Sequence, residues 1–140
     1  MKITDLKPTI VWKFFHQVTQ VPRPSKKEGK MIEFLESFAK EYKIAIKKDE
    51  AGNLLMSKPA TPGMEDRPVV VLQSHMDMVC EKNNGTKHDF DNDPIETIVD
   101  GEWLRANGTT LGADNGIGVA AELALLASDD IQHGPIECLF

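Results

Sequence analysis

An α/β fold, with a mixed sheet flanked by helices in three layers, is the architecture this sequence predicts. Three observations carry it. Two amphipathic helical patterns come before any strand pattern. The unbroken apolar run Val69-Val70-Val71-Leu72 reads as a central strand covered on both faces. Beyond it, Val119 to Ala127 is apolar almost all round, as a buried helix is, and Ile136 to Phe140 starts another apolar strand.

Each element follows from local pattern. Ile10, Val11, Phe14, Phe15 and Val18 recur at helical spacing. That helix ends near Val21-Pro22-Arg23-Pro24, because each proline disfavours helix in the residue before it. Ser25 and Glu28 form an S-x-x-E capping box for a second helix, whose apolar face is Met31, Phe34, Leu35, Phe38 and Tyr42. Ile44, Ile46 and Lys48 alternate with polar neighbours as in a half-buried strand. Ala51-Gly52-Asn53 turns the chain, and Leu54 to Ser57 returns as the antiparallel partner. Lys58 to Pro68 is a proline-rich loop, and Glu81 to Pro94 is a polar, exposed one. Asp100-Gly101 marks a second hairpin between Ile95–Val99 and Trp103-Leu104, with Trp103 expected to pack. The chain stops inside a core-strand pattern, so the sheet is expected to be incomplete, with an unpaired edge at its last strand.

Composition narrows the function. The 140 residues suffice for one ordinary core. A hydrophobic share of 41% and a charged share of 27% fit a globular chain and not a disordered one. The net charge of −6 argues against nucleic acid, whose binding needs clustered Lys and Arg, and against a polybasic membrane anchor. No apolar run approaches the roughly 20 residues of a membrane helix. The N-terminal residues carry no apolar signal core. Cys80 and Cys138, neither in a CxxC pair, read as reduced thiols of a cytosolic protein.

Two constellations could carry chemistry. Ser74-His75-Met76-Asp77 follows the apolar strand directly, and in open α/β sheets ligands bind beyond the carboxyl ends of strands. His75 and Asp77 share one side of an extended stretch. There an imidazole can bind zinc while a carboxylate holds its other ring N–H. H-x-D is short and common, so by itself it describes a strand-terminal histidine bonded locally more readily than a zinc ligand. Met76 and Met78 face the other way as core filler. The second constellation, Gly112-Ala113-Asp114-Asn115-Gly116-Ile117-Gly118, enters the apolar helix. Asp114 at its mouth suits either a cation ligand or a helix N-cap. The segment matches neither phosphate-loop pattern. Asp89-x-Asp91-x-Asp93 mimics a calcium loop, but Pro94 stands where the sharp turn needs Gly, which excludes it. His16, His88 and His133 have no partner at ligand spacing and are assigned no role.

Taken together, several segments resemble the bacterial aminoacyl-histidine dipeptidases, a group within the di-zinc, carnosinase-type peptidases. These are Val21-Pro22-Arg23-Pro24-Ser25, Lys58-Pro59-Ala60-Thr61, Gln73 to Val79, Lys82-Asn83-Asn84, His88-Asp89-Phe90, Asp93-Pro94-Ile95, Asp100 to Trp103 and Gly108 to Gly118. The resemblance runs in order along nearly the whole chain. The block Gly108 to Gly118 is its most specific part. It implies a zinc-peptidase-like fold and hydrolysis of Xaa-His dipeptides by a metal-activated water.

It also implies roles for particular residues. His75 ligates one zinc, Asp114 bridges two, and Asp77 is the catalytic-site carboxylate that orients His75. The Asp114–Asn115 peptide is implied to be cis. Further implications are two zinc ions per full-length subunit, a small dipeptide substrate and a full-length homodimer. The chain then corresponds to the N-terminal portion, residues 1–140, of the catalytic domain. The rest of that domain and a lid domain lie outside it. The general-base Glu is expected just beyond the strand at Ile136–Phe140, so the chain alone should be inactive. Two alternatives stand beside this: a non-catalytic metal-binding or assembly module of the same fold, and an amidohydrolase acting on a non-peptide amide. An acidic pair directly after Phe140 would favour the enzyme.

Overall fold

The fold is seen in a computed structural model that describes residues 2–140. After a turn of 3₁₀ helix at Ile3–Asp5 come α1 (Thr9–Thr19) and α2 (Gly29–Glu41). Then follow β1 (Ala45–Lys48), β2 (Leu54–Lys58), β3 (Val70–Gln73), β4 (Thr97–Asp100), β5 (Trp103–Ala106), α3 (Ala113–Ala127) and β6 (Ile136–Leu139). Four strands form one sheet in the order β1-β2-β6-β3, while β4 and β5 pair as a separate hairpin. The sheet is mixed: β1–β2 and β2–β6 are antiparallel, and β3–β6 is parallel. The expected α/β class and both hairpins are therefore present.

Register explains the core. Met56 lies opposite Cys138, and both are fully buried, as are Leu54 and, nearly so, Ile136 on the same side. The helices cover that face with Phe14, Phe15 and Val18 from α1, Met31, Leu35 and Phe38 from α2, and Val119, Leu123 and Leu126 from α3. Phe14 meets Phe38 edge-on at 5.4 Å, and Phe38 stacks on Tyr42 at 4.5 Å. On the opposite face Leu55 and Leu139 are only half-buried. Both cysteines are free thiols.

Four expectations are corrected. Among the described residues Val69–Leu72 is not central: β3 pairs with β6 alone, and Val69, Val70 and Val71 are 52%, 51% and 60% exposed. The last strand is not an edge: among the described residues it inserts between β2 and β3, which leaves β1 and β3 as the outer strands. Trp103 projects from its hairpin at 76% exposure instead of packing. Ser25 caps nothing: the residue before α2 is Glu28, and the Ser25 hydroxyl turns toward Asp77.

One acid sits inside the core. Glu122 on α3 is 5% exposed, and among the described residues its Oε2 has no hydrogen-bond partner. Burial pushes its carboxyl up to about 7; the nearby Ser74 hydroxyl, off the geometry of a full hydrogen bond, offsets part of this. A folded pKa above the unfolded one means that ionisation opposes folding. Stability is therefore greatest below the unfolded value of 4.5 and declines as pH rises through about 7. Glu122→Gln is expected to raise stability at pH 8 by up to about 3 kcal/mol and to change it little at pH 4. Urea unfolding at the two pH values measures this, and an equal effect at both would show that ionisation is not involved.

Candidate metal centre

The site lies beyond the carboxyl end of β3, the rim where ligands bind in open α/β sheets. Past Gln73 the chain stays extended and side chains alternate. Ser74, Met76 and Met78 are buried, while His75 is exposed and Asp77 half-buried on the other side. Asp77 Oδ1 lies 2.8 Å from His75 Nδ1 and fixes the ring. Ser25 Oγ donates to Asp77 Oδ2 at 2.5 Å. The other ring nitrogen, His75 Nε2, lies 3.0 Å from Asp114 Oδ1. The imidazole at 75 and the carboxylate at 114 therefore converge, although 39 positions apart in the chain.

Asp114 reaches His75 through an unusual helix start. Gly112 adopts a left-handed φ of +70°, the Asp114–Asn115 peptide is cis, and Asp114 and Asn115 have non-helical dihedrals. The N-cap position falls on Gly112 and the Asp114 carboxylate turns to His75, so the N-cap alternative does not hold. The Asp114 side chain is 97% exposed, which leaves its second oxygen free for another ligand. An open cleft of about 480 Å³ lies over the pair, lined by His75, Asp77, Val79, Thr110, Gly112 and Asp114.

The electrostatics follow from these contacts. The Asp114 hydrogen bond, aided by Asp77, raises the His75 pKa above its usual value, against a smaller effect of burial. Asp77 is held below the ordinary carboxylate range, first by the Ser25 hydroxyl and then by His75. Neutral imidazole has only one N–H. With Nδ1–H given to Asp77, the Nε2 lone pair would face a carboxylate oxygen at 3.0 Å. A proton or a cation between them relieves that repulsion. The arrangement can therefore hold positive charge.

The other candidates stay apart. Asp89 caps its own turn through Asp91 N–H and Asn92, and Asp91 pairs with Lys27 at 2.7 Å. His133 bonds Gly134 O at 2.7 Å, and His88 packs edge-on against Phe90. Among the described residues, no three His, Cys, Asp or Glu side chains gather as a cation cage. Reasoning from the sequence missed two participants. Ser25 was absorbed into a capping pattern. Arg23 is 1% exposed and donates to Gly112 O at 2.8 Å, to Asp77 O at 3.3 Å and to Met76 O at 3.5 Å. Its partners are carbonyls, which no spacing of charged residues reveals. An arginine held between two prolines was the one visible hint.

The mixed sheet and its helices form the zinc-peptidase fold. A dinuclear metal-binding peptidase of the M20 family from Bacillus subtilis shares that fold, with a TM-score of 0.54 and 15% identity over 93% of this chain and 34% of its own. The particular likeness is narrower. The aminoacylhistidine dipeptidase of Vibrio alginolyticus matches 99% of the chain at 50% identity with a TM-score of 0.97. The cytosol non-specific dipeptidase of Escherichia coli (strain K12) is 49% identical over 138 residues. The resemblance to aminoacyl-histidine dipeptidases is thus borne out along the chain. The chain spans 28% of the length of each of these two relatives. No family model matches the sequence.

The Ser25–Asp77 contact yields a direct check. Ser25→Ala is expected to raise the Asp77 pKa, since its largest stabiliser as a carboxylate is removed. Carboxyl ¹³C NMR titration reads this out, and an unchanged midpoint would show that the hydroxyl has no hold on Asp77.

Proposed function

We propose that this chain forms part of a zinc-dependent dipeptidase acting on Xaa-His dipeptides, and that His75 and Asp114 are its contribution to the metal centre. The observation that carries this is the 3.0 Å separation of His75 Nε2 and Asp114 Oδ1, with Nδ1 already engaged by Asp77. Zinc takes imidazole nitrogen and carboxylate oxygen at about 2.0–2.2 Å, so two donors this close can share one ion after little movement. The donor types also fit: a tautomer-fixed imidazole and a solvent-facing carboxylate with a second oxygen for bridging. When bound, zinc would supply an activated water and polarise the scissile carbonyl.

The chain's own residues then have distinct tasks. Asp77 holds Nδ1–H and so presents Nε2; Ser25 holds Asp77. Asp114 offers one oxygen toward His75 and the other toward the cleft. A catalytic zinc generally takes three protein ligands. His75 and Asp114 supply two, so further ligands and the general-base Glu come from other residues of the whole protein. The proposal extends to two zinc ions per subunit, a homodimer and a cytosolic setting. Among the described residues no helix is long and apolar enough to cross a membrane.

In the full-length protein, His75→Ala and Asp114→Ala are expected to lower zinc-dependent hydrolysis of β-alanyl-histidine by about 100-fold or more, and Asp77→Asn by about 10–100-fold. Full activity in either alanine variant would remove the site assignment. The 140-residue chain by itself is expected to hydrolyse no dipeptide. Chelator-sensitive turnover by it would show that two ligands suffice. A panel of non-peptide amides, hydrolysed faster than any dipeptide, would favour the amidohydrolase alternative.

A further inference from the structure

The glycine-rich segment that carries Asp114 is built around a buried cation. A side-chain carbon placed at Gly112 would lie 2.6 Å from Arg23 Nη2 and 2.8 Å from Met78 Sδ. One placed at Gly116 would lie 2.8 Å from the same Nη2 and 3.1 Å from Phe15. Two of the three glycines thus clear space for one guanidinium. The third, Gly118, clears space for the Asn115 side chain, whose Oδ1 would lie 2.2 Å from an added carbon.

The guanidinium bonds outward to both halves of the site. Gly112 O precedes Asp114 by two residues, while Met76 O and Asp77 O flank the ring-orienting carboxylate. The strap that carries Arg23 is itself pinned: Met78 N–H donates to Arg23 O at 3.0 Å, and Ser25 N–H to Met78 O at 3.3 Å. Burial lowers the arginine pKa to about 10, so the group remains charged at neutral pH. A buried charge must be satisfied by hydrogen bonds. Separating the two loops would strip acceptors from it, which couples loop spacing to the arginine.

We infer that Arg23 is a positioning residue: its guanidinium, bonded to Gly112 O on one side and to the Met76 and Asp77 carbonyls on the other, sets the spacing between His75 and Asp114 that a shared cation requires. This rests on the metal-centre reading above. A planar fork can reach several carbonyls at fixed angles, which a lysine ammonium cannot do from the same backbone position.

The test uses the full-length protein with Arg23→Lys. Two readouts are taken at one pH: Zn²⁺ affinity by competition with a chromophoric chelator, and, without metal, the nuclear Overhauser contact between Met78 Hβ and Gly112 Hα. His75→Ala and Asp114→Ala establish whether zinc binding uses the proposed ligands. Leu35→Ala, a core change remote from the site, controls for lost stability. Arg23→Lys is expected to weaken Zn²⁺ binding by about tenfold or more and to weaken the Met78–Gly112 contact. Leu35→Ala should lower the melting temperature and leave both readouts at wild-type values. A folded Arg23→Lys chain with wild-type affinity and an intact contact overturns the inference. If zinc binding ignores His75 and Asp114, the metal reading fails, and the metal-free contact still decides the role of Arg23. Should Arg23→Lys not fold, Gly116→Ala, which drives a methyl group against the guanidinium, must weaken the same contact; an intact contact there overturns the inference.

Discussion

A charged side chain sealed beneath the rim of the sheet has to find its hydrogen bonds within the protein, and this constraint at Arg23 organises the candidate site. Among the described residues no carboxylate touches the guanidinium. Its contacts are three main-chain carbonyls, with the charge of Asp77 acting from nearby against the effect of burial. Main-chain acceptors cannot rotate away as side chains can. The strap at residues 22–25, the extended stretch after β3 and the start of α3 are therefore held as one unit. The left-handed backbone at Gly112 belongs to the same arrangement, because a side chain there would collide with both Arg23 and Met78.

What could be read from the sequence divides along physical lines. Helices and strands with strong apolar periodicity, such as Phe14-Phe15-Val18 or Met31-Leu35-Phe38, were legible because burial of one face dictates that period. The alternation at His75, Met76, Asp77 and Met78 was legible for the same reason: the two methionines are buried, so the polar pair must face outward. Strand order was not legible. The run Val69–Leu72 has the composition of an interior strand; among the described residues it pairs with β6 alone, which composition does not register. Ser25 and Glu28 matched a capping box by spacing alone. The competing partner, Asp77, lies 52 residues away from Ser25, and no local pattern registers it. The convergence of His75 and Asp114 came from family resemblance; their spacing of 39 carries no signal of its own.

Topology then explains why His75 and Asp114 meet where they do. The parallel pairing of β3 with β6 places the carboxyl ends of both strands on one rim. A second cleft, about 450 Å³, opens there between the strand ends and the β1–β2 turn, and it shares His75 and Asp77 with the cleft over Asp114. The imidazole is thus a partition between two open volumes, held from behind by Asp77 and reachable from both sides. A group bound at Nε2 would be exposed to whatever occupies either cleft.

The charge balance at this partition favours a cation over any neutral occupant. Asp77 and Asp114 place carboxylate oxygens within 3.0 Å of the two ring nitrogens. The ring answers with a raised proton affinity: as imidazolium it can donate to both carboxylates at once. A proton on Nε2 and a divalent ion at Nε2 satisfy the same electrostatic demand, and they exclude one another because both need the one lone pair. Ser25 biases this contest from outside. By holding Asp77 ionised, it keeps the Nδ1–H tautomer in place and leaves Nε2 as the nitrogen that must choose. A metal bound there displaces a proton, so affinity falls as acidity rises. The local fold thus specifies an acceptor for positive charge before the identity of the ion enters.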